Sequence, residues 1–470
     1  MENIILMSDS YKYSQWKQYP NGATKMFSYL EARGGETGKY SQNITQFFGL
    51  SYYIKRYLNA TITSDMVEEA EMIITSHGLP FNKQGWMRVV EVHDGKLPLK
   101  IRAVAEGSVV ERRNVLMTIE STDPELFWLV GWAETLLMKI WYPTTVATLG
   151  YNIKQLITSF MEKTADTNDK VPFMLHDFGY RGVASEEQAG IGGMSHLVNF
   201  MGTDTVAALM YARKYYGADM PGFSIPASEH STITSWGAGS VNERNGFINM
   251  IDQFGKTSDI YACVSDSWDF YSAINTWIEL KDQVINAGGQ LVIRPDSGDA
   301  LTNVMYALRN LSSEEAYGYT VNSKGYKVLN NVAIIQGDGV SSDLIYDILS
   351  AMENEGFSAQ NIAFGMGGAL LQGNYESSIN RDTHKFAIKC SAIEIDGKTQ
   401  VVYKDPITDK GKSSKRGYLD LKRIDDNYIT VEYDHYPTAE ELADSQLVTY
   451  FENGEIVKSY LFDEVKSNAN

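Results

Sequence analysis

From Val171 onward one unit repeats along this chain: a short apolar run, an abrupt polar or glycine-rich loop, then a helix. The runs are Phe173–Leu175, Phe223–Ile225, Tyr261–Val264, Leu291–Ile293, Val332–Ile335 and Ile362–Phe364. Each stops at residues able to do chemistry: His176-Asp177-Phe178-Gly179-Tyr180-Arg181-Gly182, Glu229-His230-Ser231, Ser265-Asp266-Ser267, Arg294-Pro295-Asp296, Gln336-Gly337-Asp338-Gly339 and Gly365-Met366-Gly367-Gly368. Few folds are open to such a rhythm. Polar groups gathered at the carboxyl ends of successive parallel strands are what a β/α barrel provides. A doubly wound sheet also alternates strand and helix, but it concentrates ligand groups at one switch point rather than on six loops. The expectation is an α/β chain with an irregular β/α barrel over residues 151–385.

The Leu291–Asp299 stretch carries the unit most clearly. Pro295 has no N–H for a ladder, so the chain must leave the sheet there, with Arg294 and Asp296 at the mouth of the strand. Asp299 is placed to cap a helix whose apolar face is Leu301, Val304, Met305, Leu308 and Leu311.

The flanks differ. Residues 1–150 read as a second, mixed α/β domain, with a strand at 25–31, a helix at Thr63–Ser76, and a helix opened by Asp123-Pro124 that runs to Trp141 before Pro143 ends it. After Lys385 the pattern becomes strand-rich: Phe386–Lys389, Thr399–Tyr403, Tyr428–Val431, Leu447–Tyr450, then a turn at Glu452–Glu455 and a strand at Ile456–Tyr460. Residues 386–470 are expected to pack back on the N-terminal domain.

A net charge of −18 argues against nucleic acid as a partner, because a phosphate backbone needs a broad basic surface. No apolar run reaches the roughly 20 residues that span a bilayer, and Met1-Glu2-Asn3-Ile4 lacks the basic and apolar regions of a secretion signal. The two cysteines, Cys263 and Cys390, form no framework or metal motif. The expectation is a cytoplasmic protein without a membrane segment. Small anions remain possible ligands, through Arg294, Lys389 and the run Lys412-Ser413-Ser414-Lys415-Arg416, although that run taken alone reads as solvated surface charge.

The glycine turns at 336–339 and 364–368 follow strands and could let backbone amides approach a phosphate, with the helix started by Ser341-Ser342-Asp343 pointing its positive end inward. Neither a GxxxxGK[ST] loop nor a GxGxxG after a first strand occurs, so an ordinary nucleotide triphosphatase and a Rossmann dehydrogenase are unsupported. His176, Asp177, His230 and Asp266 could suggest a metal hydrolase, but no HxH or HExxH spacing is present. Phe178 and Tyr180 are placed either in the core or against a flat ligand.

Taken together, HDFGYRG at 176–182, GTDT at 202–205, SEHST at 228–232, SDSWD at 265–269, RPDSG at 294–298, QGDGV at 336–340, FGMGG at 364–368 and KDP at 404–406 resemble the nicotinamide phosphoribosyltransferase family. The likeness runs from MSDSYKYSQWKQYP at 7–20 to SYLFDEV at 459–465. It implies a homodimeric type II phosphoribosyltransferase that joins nicotinamide to phosphoribosyl pyrophosphate with Mg2+, and that uses ATP as a coupling substrate. It further implies that Phe178 and, from the other subunit, Tyr11 with Asp9 beside it, hold the pyridine ring. Asp204 and Arg294 resemble the residues on its carboxamide, and Asp296, Gly337, Asp338, Gly367 and Gly368 those around the ribose and 5′-phosphate. Arg181, Arg381, Lys389, Lys404 and Lys412 resemble the phosphate-binding cations, with Arg33 reaching from the partner. His230 resembles the histidine that ATP phosphorylates, with Asp266 its neighbour. The alternatives are a nicotinate phosphoribosyltransferase and a non-catalytic barrel that only binds.

Overall fold

The computed structural model describes residues 3–35, 39–373, 378–408 and 413–469. Its parallel sheet has the spatial order Gly202–Thr203, Leu175–Asp177, Ile362–Met366, Val332–Gln336, Gln290–Arg294, Ile260–Val264. Residues 223–227 join its two edges: Phe223 bridges Gly202, and Ala227 bridges Ala262, both in the parallel sense. The sheet therefore curls into an irregular barrel. Phe223–Ile225, expected as a strand, makes single bridges only, because Pro221 and Pro226 have no N–H to offer a ladder. The strand expected at Phe173–Leu175 begins instead at Leu175, since Val171–Phe173 is a 3-10 turn.

Strand alternation explains why these runs are almost wholly apolar. One face of the Ile260–Val264 and Gln290–Arg294 strands puts Tyr261, Cys263, Leu291 and Ile293 into the main core against the helices. The other face puts Ala262, Val292 and Ile335 into a small second core inside the barrel, on which Phe178 packs.

The second sheet has seven strands, all paired antiparallel, in the order Lys398–Val401, Phe386–Ile395, Ala23–Ala32, Val115–Ser121, Leu99–Ala103, Val448–Glu452, Glu455–Ile456. Strands from both ends of the chain thus share one sheet. The turn at 452–455 places Asn453 and Gly454 at φ 52° and 81°, the conformation a two-residue hairpin demands. Its second strand is Glu455–Ile456, shorter than Ile456–Tyr460 suggested. Tyr418–Ile424, which pairs with Asn427–Tyr433, had no counterpart in the sequence reading.

Pro143 does not end a helix. Asp123 caps a short 3-10 turn, Leu129–Met138 follows, and a new helix spans Trp141–Thr164 with Pro143 in its first turn, where an N–H has no partner to lose. That helix runs unbroken through positions 150 and 151, where the sequence suggests a division. Its threonines stitch the two sheets' surroundings together: Thr148 Oγ1 accepts from Gln46 N at 2.9 Å, and Thr164 Oγ1 from Ala359 N at 2.9 Å. Among the described residues no helix is long and apolar enough to cross a membrane.

Candidate active site

The carboxyl ends of the barrel strands open into a cavity of about 1080 Å³, walled by Phe178, Arg181, Asp204, His230, Arg294, Asp296, Gly337, Asp338, Gly367 and Gly368 among others. Ten residues singled out from sequence therefore line one space.

Phe178 stands where the Leu175–Asp177 strand ends, its N–H donating to Met366 O at 2.9 Å. The ring lies against the neighbouring strand because Gly365 has no side chain: a Cβ there would come within 2.0 Å of the ring. Gly337 is similarly constrained, for a Cβ would sit 3.3 Å from Asp296 Oδ1 and 3.5 Å from the Phe178 ring. A flat apolar surface and a carboxylate therefore flank the same glycine. Asp177 braces this loop from below. It is fully buried, its Oδ1 accepts from Gly179 N at 2.7 Å, and its carbonyl accepts from Asp204 N at 2.9 Å. Burial pushes its carboxyl up to about 6, against the hydrogen bond from Gly179.

Asp204 could have been a helix cap, but Thr205 occupies that position before Val206–Tyr216. The Asp204 side chain instead accepts from Ser224 Oγ at 2.6 Å, on the segment that closes the barrel. It is therefore turned to the cavity wall rather than to the helix. Ser224 carries no sequence signal and emerges only here.

His230 opens the short helix His230–Thr234, and its Nε2 lies 2.9 Å from Asp266 Oδ1. Asp266 does not line the cavity. Its side chain is 4% exposed, and its other oxygen accepts from Ser297 Oγ at 2.5 Å, which ties the 265–269 loop to the 294–299 loop. His230 Nδ1 lies 4.0 Å from Asp296 Oδ2, and Arg294 Nη2 is 3.5 Å from the same oxygen. Burial raises the Asp296 carboxyl, with Arg294 and His230 opposing and Asp266 and Asp338 reinforcing. Asp299 caps Ala300–Leu311 as expected, accepting from Thr302 N at 2.8 Å.

The remaining candidates lie elsewhere. Asp9 accepts from Thr135 Oγ1 at 2.8 Å, and Tyr11 is 58% exposed, both in the N-terminal segment. Lys389 sits on the antiparallel sheet, with Arg33 one residue past the end of the Ala23–Ala32 strand and Lys404 just beyond the sheet; none of these five lines the barrel cavity. Arg381 is exposed and paired with Asp382 at 3.0 Å; it does not line the barrel cavity, and its carbonyl accepts from Phe386 N at 3.0 Å, where the strand opposite Ala32 begins. Lys412 lies outside the described residues. A second cavity, of about 300 Å³ and mostly apolar, occupies the opposite end of the barrel, with His176, Phe173 and Phe223 on its wall. Burial lowers the His176 pKa there, which favours a neutral ring.

Residues 173–455 match the family model described as the nicotinate phosphoribosyltransferase (NAPRTase) family, and residues 3–101 match the nicotinamide phosphoribosyltransferase N-terminal domain. A nicotinamide phosphoribosyltransferase of Xanthomonas campestris pv. campestris is 47% identical over 475 residues, covering 100% of this chain and 98% of that protein. One from Acinetobacter baylyi is 31% identical, covering 99% and 96%. Among solved structures, nicotinate-nucleotide pyrophosphorylase from Pyrococcus furiosus aligns with a TM-score of 0.61 at 15% identity, covering 99% of this chain and 95% of that one. Human nicotinic acid phosphoribosyltransferase aligns at 0.57 and 14%, covering 99% and 93%. At that identity the two structures establish a shared fold.

Proposed function

This chain belongs to the nicotinamide phosphoribosyltransferase family, and from that premise we propose that it joins nicotinamide to phosphoribosyl pyrophosphate, forming nicotinamide mononucleotide and pyrophosphate. The pyridine nitrogen attacks C1′ as the C1′–O bond to pyrophosphate breaks, and the bonding electrons leave with the pyrophosphate. The observation that carries the reading is the adjacency of the Phe178 ring and the Asp296 carboxylate across Gly337. Stacking on Phe178 would fix the ring plane, and Asp296 would face the positive charge that develops on the ribose. Arg294 and Asp204 are placed for the carboxamide, and Asp204 would accept from its NH2 while repelling the carboxylate of nicotinate. Gly337, Asp338, Gly367 and Gly368 would surround the ribose and 5′-phosphate, with Arg181 at the rim.

Among the described residues no group of three or more His, Cys, Asp or Glu is placed to hold a metal. Magnesium usually rides on substrate phosphates with one or two protein carboxylates added. Asp296 and Asp338 would supply those carboxylates, and the ion would offset charge on the leaving pyrophosphate.

His230 is the proposed phosphoryl acceptor from ATP: the Asp266 contact occupies Nε2 and leaves Nδ1 as the nucleophilic nitrogen, with ADP departing. The working unit is a cytoplasmic homodimer, in which Asp9, Tyr11, Arg33, Lys389 and Lys404 of one subunit complete the barrel site of the other. The exposure of Tyr11 and the absence of these residues from the wall of their own barrel's cavity support it.

The test is to incubate the protein with phosphoribosyl pyrophosphate, magnesium and either nicotinamide or nicotinate. The mononucleotide should form from nicotinamide with strong preference. Formation from nicotinate alone, or no product from either, would overturn the assignment.

A further inference from the structure

Away from the barrel cavity, a cluster of charged side chains lies at the end of the Ala23–Ala32 strand. Pleating puts Tyr29 and Glu31 on one face, with Arg33 next in the series, and Lys389 lies directly opposite Tyr29 on the paired strand. Glu31 is only 2% exposed. Its Oε1 accepts from Arg33 Nε at 2.7 Å and from the Tyr29 hydroxyl at 3.3 Å, and its Oε2 accepts from Lys415 Nζ. The Lys415 N–H in turn donates to the Tyr29 hydroxyl at 2.8 Å. Lys404 is drawn to the same place: Ser414 N donates to Lys404 O at 3.0 Å, and Lys404 N to Ser414 Oγ at 2.9 Å. Lys12, with a side chain 5% exposed, pairs with Glu134 at 2.6 Å. Burial lowers the Lys389 pKa, and Arg33, Lys404 and Lys12 push it the same way against Glu134.

Among the described residues this cluster sets Lys12, Arg33, Lys389, Lys404 and Lys415 against the carboxylates Glu31 and Glu134. These cations gather in a chain whose net charge is −18. Partly buried like charges are costly to gather, and Arg33 Nη2 is itself buried with no hydrogen-bond partner among the described residues. A polyanion would relieve both. The family resemblance gives a phosphate role to Arg33, Lys389 and Lys404, and says nothing of Lys415 or Glu31.

We propose that Lys415 is a further pyrophosphate-binding residue, and that Glu31 is the positioning residue that aims Lys415 and Arg33 together at the diphosphate of phosphoribosyl pyrophosphate in the neighbouring subunit's barrel. This rests on the shared-site reading above. Glu31 touches no substrate. It removes the repulsion between two cations that must converge, and the Tyr29 hydroxyl fixes the backbone from which Lys415 extends.

The experiment titrates magnesium with inorganic pyrophosphate into full-length wild-type protein and into Lys415→Gln, Glu31→Gln and Lys389→Ala variants. KM for each substrate and Tm are measured alongside. Losing one charge-assisted contact should weaken pyrophosphate binding about tenfold in Lys415→Gln. KM for phosphoribosyl pyrophosphate should rise while that for nicotinamide holds. Glu31→Gln should move the same two quantities in the same direction although it removes no cation. Should that variant fail to fold, Glu31→Asp, which keeps the charge but shortens its reach, takes its place. Wild-type affinity in Lys415→Gln beside a weakened Lys389→Ala overturns the inference and leaves the shared site standing. Wild-type affinity in both overturns the two together. A lowered Tm with both KM values raised in proportion shows a merely structural ion pair, and also overturns it.

Discussion

The mouth of the barrel and the end of the Ala23–Ala32 strand are both charged, yet they are built by opposite means. At the barrel mouth, each functional group leaves the end of a parallel strand and reaches the cavity within a few residues: Phe178 and Asp204 on one arc, Arg294, Asp296 and Asp338 on another. At the sheet end, the cations arrive from segments hundreds of residues apart, and a single buried carboxylate, Glu31, holds two of them. The barrel mouth mixes acids and bases and can accommodate developing charge of either sign. The sheet end carries a surplus of positive charge and suits a leaving polyanion. The two are complementary in charge, and the proposed shared site joins the sheet end of one subunit to the barrel mouth of the other.

The largest effect is expected at the barrel mouth. Asp296→Asn keeps size and shape but removes the carboxylate facing the ribose, and should cut kcat/KM for mononucleotide formation by about a thousandfold. Thermal unfolding should barely move. An Asp296→Asn enzyme within tenfold of wild type would place the charge stabilisation elsewhere.

Asp204→Ser probes the division within that mouth. Two like charges about 4 Å apart cost roughly 1 kcal/mol in water and roughly 4 kcal/mol at an effective dielectric near 20. Asp204 is exposed until ligand covers it, so the preference for nicotinamide over nicotinate should narrow by about fivefold to a thousandfold. Competition between the two substrates measures it. An unchanged ratio would show that Asp204 does not set the choice.

His230→Ala should leave the ATP-independent rate within a few-fold of wild type and abolish both ATP stimulation and ATP hydrolysis. Persistent hydrolysis in the variant would refute the phosphoryl-acceptor role.

The smallest effect concerns stability. The Asp177 carboxyl is raised from 3.8 to about 6 by burial. The folded state therefore holds its proton longer than the unfolded chain does, and stability attributable to this group falls as pH rises from about 4 to about 6, then stays low. The displacement corresponds to roughly 3 kcal/mol at most. Asp177→Asn can still accept from Gly179 and should flatten that part of the curve relative to wild type. Denaturant unfolding at pH 4, 5, 6 and 7.5 gives the comparison, and parallel curves would mean that Asp177 titrates normally.

The same contrast governs how much could be read in advance. Barrel strands such as Leu291–Ile293 announce themselves because an apolar run buried on both faces ends at a proline and charges. Gly202–Thr203 is two residues long and left no pattern to find, whereas Phe223–Ile225 was legible as an apolar run but, flanked by Pro221 and Pro226, makes only single bridges. Pro143 misled because a proline ends one helix and begins another with the same letter, and only the tertiary path decides. The acids and bases of the mouth were legible as loops. The reason for Gly365 was not, since it lies in a ring from a different strand. Glu31 was invisible as a lone acid in an alternating strand, and Lys415 was legible only as one cation of a run that, taken alone, reads as solvated. Their pairing exists only once the tail folds back on the first strand.

Whether the two halves meet across a subunit boundary can be measured directly. Tyr11→Ala damages only the N-terminal half and Asp296→Ala only the barrel half, so each homodimer should be nearly inactive. Random exchange between equal amounts makes half the dimers hybrids, each with one intact site, so activity should return to about a quarter of the wild-type value. A mixture that stays inactive while mass measurement shows hybrid dimers would contradict the shared site.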